Sequence, residues 1–148
     1  MPFEGGKVFA YFGINPSTAD AAIDDATVRK WRGFTVRNGG HRFIVGNLFA
    51  YRSTDPKALG QQDDPFGPDW LAHLNDIIAD ADVLVPCWGS LAKMPYSLRD
   101  VPDQVMLKLI SSGKPVLHFG LTGCRQPKHP LMLGYETKLE CLVRRGDE

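Results

Sequence analysis

Four short apolar runs punctuate the chain. They are Lys7-Val8-Phe9-Ala10-Tyr11-Phe12-Gly13, residues 41–50, residues 81–89 and residues 114–120. Each is rich in β-branched or aromatic residues and is bounded by Gly, Pro or Asn, as strands are. Within each run the apolar residues are nearly continuous and do not alternate with polar ones. That pattern suits parallel strands covered on both faces. Helical spacing fills the intervals. Residues 23–38 carry Ile23, Val28, Trp31 and Phe34, with Asn38-Gly39-Gly40 as the stop. Residues 69–79 carry Trp70, Leu71, Leu74, Ile77 and Ile78 after the Pro68 start. Residues 101–112 carry Val105, Met106, Leu107, Leu109 and Ile110 and end at Ser112-Gly113. The order is strand, helix, strand, loop, helix, strand, helix, strand. It predicts a three-layer α/β/α sandwich with a central, mostly parallel four-stranded sheet. The polar stretch 51–68 contains Pro56, Pro65 and Pro68 and reads as a long connection, the kind of loop that often carries function.

Composition narrows this picture without redirecting it. A chain of 148 residues suits one α/β domain over residues 1–148, because a second full core would be hard to fit. Apolar residues at 43% and charged residues at 23% are ordinary for a globular protein. No apolar run approaches the ~20 residues of a membrane span. The start Met1-Pro2-Phe3-Glu4-Gly5-Gly6-Lys7 lacks the basic and apolar regions of a signal peptide, so the expectation is a cytoplasmic protein with no membrane partner. Cys87, Cys124 and Cys141 show no CxxC spacing, which argues against a disulfide framework or a tetrathiolate metal site. Neither a metal nor a cofactor is expected. The formal charge is zero, yet Asp residues crowd the first and middle parts, and Lys and Arg are spread from Lys93 onward. A local basic face is compatible with that balance.

In open parallel sheets, ligands bind beyond the carboxyl ends of the strands. The first run is followed by Asn15-Pro16-Ser17-Thr18-Ala19-Asp20. The second ends around Asn47, with Arg52 beyond it. The third ends in Trp88-Gly89-Ser90, and Arg125, Lys128 and His129-Pro130 follow the fourth. Each has a bland reading. Asn15-Pro16-Ser17 can be a turn that caps a helix. Asn47 can satisfy loop backbone, His129 can be a surface residue, and Trp88 can be core. Their recurrence at successive strand ends carries more weight than any one of them.

These same residues resemble a bacterial and phage family catalogued as a domain of unknown function, number 1643. The resemblance rests on Asn15-Pro16-Ser17-Thr18-Ala19-Asp20, Asp24-Asp25-Ala26-Thr27-Val28-Arg29, Asn47-Leu48-Phe49-Ala50, Ala58-Leu59, Trp88-Gly89 and Lys128-His129-Pro130-Leu131. A more distant likeness is to the uracil-DNA glycosylase superfamily, which shares the strand–helix alternation. Gly13-Ile14-Asn15-Pro16-Ser17 is similar to that superfamily's Gly-Ile-Asn-Pro-Gly motif. Asn47-Leu48-Phe49-Ala50-Tyr51-Arg52 is similar to an Asn-led run after its second strand. Residues 83–92 look like its third strand, and His129-Pro130 resembles its His-Pro-Ser motif. This resemblance implies a uracil-DNA-glycosylase-like fold and a protein that binds a damaged or modified nucleobase and hydrolyses its N-glycosidic bond. DNA or a nucleotide would be the partner.

The implied roles suit the residue types. His129 would donate to the carbonyl of a departing base, because donors aimed at developing charge dominate such reactions. Asn47 has both donor and acceptor groups and would read the base edge. Asn15 would orient the attacking water, and Asp20 is available as a stronger base. Pro16, Ser17, Gly89 and Arg52 would complete the pocket, with Phe34, Trp31 or Trp88 stacked on a flipped base. Leu131, Met132 and Leu133 would form an apolar wedge, flanked by Arg125 and Lys128 for phosphates. The pattern departs from the superfamily at two places. Ser17 replaces a glycine, and Leu131 replaces a serine. The acidic Asp24-Asp25 with Arg29 has no glycosylase counterpart and marks an alternative site for a free nucleoside or nucleotide. A catalytically silent module that binds nucleic acid or another partner is the third reading.

Overall fold

The computed structural model describes residues 7–13, 21–47, 70–89, 100–123 and 125–143. In chain order the elements are β1 (Lys7–Gly13), α1 (Ala21–Arg37), β2 (Gly40–Asn47), α2 (Trp70–Asp80), β3 (Val83–Pro86), α3 (Val101–Ser111), β4 (Val116–His118) and β5 (Glu140–Val143). The strands form one sheet in the order β2-β1-β3-β4-β5. The first four are parallel, and β5 runs antiparallel to β4. The expected four-stranded sheet therefore gains a fifth strand. Its only apolar run, Cys141-Leu142-Val143, is three residues long between Glu140 and Arg144, too short to announce a strand. Pairing with β4 is what makes it a strand.

Alternation along β1 builds both cores. Val8, Ala10 and Phe12 face Leu74, Val105 and Leu109, which come from α2 and α3. Phe9 and Tyr11 face Phe34 and Trp31 of α1 and a C-terminal segment holding Leu133, Tyr135 and Leu139. Two helices thus cover one face and α1 the other. Right-handed crossovers require this division. The chain steps from β1 outward to β2 in one direction, then returns past β1 to β3 and on to β4 in the other.

The α1 face is unusually aromatic. Tyr11 stacks with Trp31 and Phe119, and Phe34 packs on Phe119 and Tyr135. The Thr35 hydroxyl donates to the Trp31 carbonyl (2.7 Å) and accepts from the Tyr11 phenol (2.7 Å). Burial raises the Tyr11 pKa well above the ordinary phenol value. It also pushes the Cys87 thiol up to about 12. Both groups stay neutral and serve packing. Gly33 is the notch through which the C-terminal segment docks, since a Cβ there would lie 2.3 Å from the Tyr135 ring. Tyr135 then donates to the Arg29 carbonyl (3.2 Å), while Lys30 and Arg37 lie over its ring. Lys30 also donates to the Leu133 carbonyl. No helix among the described residues is long and apolar enough to cross a membrane.

Candidate functional site

The strand order locates the point where ligands gather in open parallel sheets. The connection leaving β1 goes to one side, and the connection leaving β3 goes to the other. The crevice between two such neighbours, at their carboxyl ends, is the topological switch point. Register makes its rim explicit. Gly13 pairs with Asn47, and Phe12 pairs with both Gly46 and Pro86. The Cys87 N–H donates to the Phe12 carbonyl (3.0 Å), carrying the alignment one residue further. The end of β1 therefore lies beside Trp88-Gly89. Asn47 lies one strand beyond β1, about 10 Å from the β3 end at two inter-strand spacings.

The third wall is the loop after β4. A hairpin joins Leu121 to Pro127 in an isolated bridge. The Thr122 N–H donates to the Gln126 carbonyl (2.7 Å), and the Arg125 N–H donates to the Thr122 carbonyl (2.9 Å). Arg125 sits at φ 65°, the left-handed conformation with which a three-residue hairpin loop ends. The hairpin is sewn to β3 twice. The Gly89 N–H donates to the Pro127 carbonyl (2.8 Å), and the Trp88 indole N–H donates to the Gln126 side-chain oxygen (2.8 Å). Gly89 needs its φ of +81°, which favours glycine, and a Cβ there would lie 3.6 Å from the Cβ of His129. Two motifs 40 residues apart thus meet at the end of β3.

His129 is held in one protonation pattern. Its Nδ1 accepts the Leu131 N–H (3.1 Å), so in the neutral ring the proton sits on Nε2. Burial lowers its pKa below the ordinary histidine value, because the charged form is poorly solvated there. At neutral pH it is an uncharged donor, and Nε2 has no partner among the described residues. The chain then makes a turn closed by the Leu133 N–H on the Pro130 carbonyl (3.0 Å). Leu131 and Met132 are its central residues. Leu131 is half-buried and Met132 is 89% exposed. Lys128 is exposed, with its side chain beside Gly120, and Arg125 is exposed at the hairpin tip.

The other expected site residues divide into three groups. Asn15, Pro16, Ser17, Asp20 and Arg52 lie outside the described residues. Asn47 ends β2, and its side chain is likewise outside them. Asp24, Asp25 and Arg29 lie on α1, with the side chains of Asp24 and Asp25 outside the described residues. Arg29 is exposed, and its carbonyl is taken by Tyr135. Two aromatic expectations need correction. Phe34 is fully buried against Phe119 and Tyr135, leaving no ring face for a base. Trp88 is 4% exposed in the aliphatic core, so it anchors the hairpin and does not stack on a ligand. Gln126 and Pro127, which position that hairpin, were not expected. No sequence pattern links Gln126 to a tryptophan 38 residues earlier. Two grooves formed by described residues lie away from this edge, one between α2 and α3 and one between α1 and β2.

Neither the curated proteins nor the solved structures hold a match to the chain. Residues 4–131 match the family described as "Protein of unknown function (DUF1643)", and the chain belongs to that family.

Proposed function

We propose that this member of the DUF1643 family recognises a damaged or modified nucleobase at the β1–β3 crevice and hydrolyses its N-glycosidic bond. The observation that carries the reading is His129. It is neutral, has its proton on Nε2, and adjoins Gly89 at the end of β3. Cleavage of the bond leaves the electron pair on the base nitrogen, and water supplies the oxygen that bonds to the sugar carbon. The departing base is stabilised by a hydrogen bond from Nε2 to its carbonyl, an arrangement that costs no reorganisation. The proton lost by water neutralises the base anion by way of solvent or Asp20. Asn15 orients the water, since an amide cannot accept a proton at neutral pH. Asn47 reads the base edge, and Met132 fills the stack the base has left. The likeness to the uracil-DNA glycosylase superfamily in the first, second and His-Pro motifs supports the same roles.

The test is a panel of oligonucleotides, each carrying one deaminated, oxidised, alkylated or hypermodified base. Alkali cleavage scores abasic sites. At least one substrate is expected to be cut, with a loss of about 10²–10³-fold in His129→Ala and a comparable loss in Asn15→Ala. If folded protein leaves every oligonucleotide intact while a free nucleoside is hydrolysed, the substrate is the small molecule. If neither reacts, the hydrolytic reading fails.

A further inference from the structure

The groove between α1 and β2 lies on the other half of the molecule and has its own chemistry. It encloses about 350 Å3 and is lined by Arg32, Thr35 and Val36 of α1 and by His41, Arg42 and Phe43 of β2. The α1 residues fall at i, i+3 and i+4, one face of a helix. On β2 the register shifts. Lys7 pairs with Gly40 and Val8 with Arg42, so His41 is an extra residue in that strand. Such a bulge re-aims side chains at a sheet edge. Here it brings His41 and Arg42 to the same groove as Phe43, which plain alternation would not do. Among the described residues β2 has β1 as its one neighbour, so this is an edge.

The charge here is one-sided. Residues 26–54 contain Arg29, Lys30, Arg32, Arg37, His41, Arg42 and Arg52 and no Asp or Glu, in a chain whose formal charge is zero. Some of these cations are already engaged. Lys30 and Arg37 clamp Tyr135. Arg32 and Arg42 are exposed, and among the described residues neither makes a hydrogen bond, ion pair or ring contact. These two arginines, the half-buried Phe43 and the exposed Val36 give the groove both cationic and apolar walls. Among the described residues no carboxylate lines it.

We propose that this groove binds the phosphodiester backbone of a single-stranded nucleic acid. Arg32 and Arg42 each take a phosphate, and Phe43 and Val36 receive a sugar or base. Guanidinium forks suit phosphate oxygens, and an aromatic floor suits unstacked bases that a duplex would hide. By strand rise Arg42 stands about 17 Å from Asn47, so the groove is separate from the β1–β3 crevice. A strand held in it can continue along the β2 edge toward that crevice. The groove and the base-hydrolysis reading can fail independently.

The test is fluorescence anisotropy with a labelled oligothymidylate of roughly 12 nucleotides, which needs no cleavable base. Arg32→Glu and Arg42→Glu should each weaken binding about tenfold and each lower the salt dependence by about one released ion. Lys108→Glu makes the same charge change on α3, across the sheet, and should stay within about twofold of wild type. Unchanged melting temperatures confirm that the arginine variants fold. No binding at low salt, equal losses in the arginine and Lys108 variants, or an equally tight duplex would each overturn the proposal. Arginine-dependent binding of poly-glutamate without oligothymidylate binding also overturns it and reassigns the groove to an acidic protein partner.

Discussion

The two edges of the sheet use polar residues in opposite ways. At the amino edge, charged side chains close the backbone. The Lys114 ammonium donates to the carbonyls of Ile78 (2.6 Å), Ala79 (2.9 Å) and Ala81 (2.6 Å), capping the end of α2. Asp82 accepts the Val8 N–H (2.8 Å). At the carboxyl edge the same kind of bonding is only half complete. His129 accepts one backbone N–H at Nδ1, while Nε2 has no partner among the described residues. A polar group bonded on every side stabilises the fold. A polar group held firmly on one side and open on the other can act on a ligand.

Substitutions should separate the two edges. The largest expected change in stability is at Lys114. Lys114→Met removes three charge-assisted hydrogen bonds at a helix end, and we expect a loss of about 1–3 kcal/mol in urea unfolding. Oligonucleotide binding by the folded variant should not change. His129→Gln should cost less than about 1 kcal/mol at pH 7, because one backbone hydrogen bond is at stake. It should still abolish whatever base chemistry the wild type shows. If the losses are reversed, the contrast between the edges is wrong.

A smaller effect separates the edges through pH. In the unfolded chain His129 takes up a proton near the ordinary value of 6.5, and in the folded protein only below it. The unfolded state therefore binds more protons in that window. The stability that the neutral ring contributes is complete above pH 6.5 and declines as the pH falls through the folded midpoint. His129→Gln should flatten this part of the melting-temperature profile. Lys114→Met should lower the whole profile and keep its shape. A wild-type profile no steeper than that of His129→Gln would remove the case for a buried neutral imidazole.

How much of this could be read from the chain depends on the range of the interactions. The four parallel strands were legible because burial on both faces makes each a near-continuous apolar run, as in Val83-Leu84-Val85-Pro86. The helices were legible from Trp31 and Phe34, or Leu74 and Ile77, recurring at helical spacing. β5 was not, because its apolar run is only Cys141-Leu142-Val143 between charged residues, and pairing with β4 is what makes it a strand. At the site, the strand-end rule groups Trp88-Gly89 with His129, and the structure has Gly89 beside His129. It could not tell that Trp88 points into the core, since an aromatic at a strand end suits either role. Phe34 misled for a related reason, because a core stripe and a stacking platform look alike in sequence. The Gly33–Tyr135 notch and the bulge at His41 depend on partners far away in the chain, and no local pattern encodes them.

His118 provides an internal control for the central claim. Its Nδ1 also accepts a backbone N–H from two residues on, that of Gly120 (3.0 Å), but it is buried within β4. His129 has the same local geometry at the crevice. The direct measurement is nitrogen-15 NMR of both imidazoles, alone and with an oligonucleotide carrying a base that the panel identifies or, failing one, deoxyuridine. The expected result is a neutral, Nε2-protonated His129 with a midpoint below 6.5, whose Nε2 resonance moves on addition while His118 stays in place. An Nδ1-protonated His129, a midpoint at or above 6.5, or an Nε2 resonance indifferent to the oligonucleotide would contradict a base-recognition site at this edge.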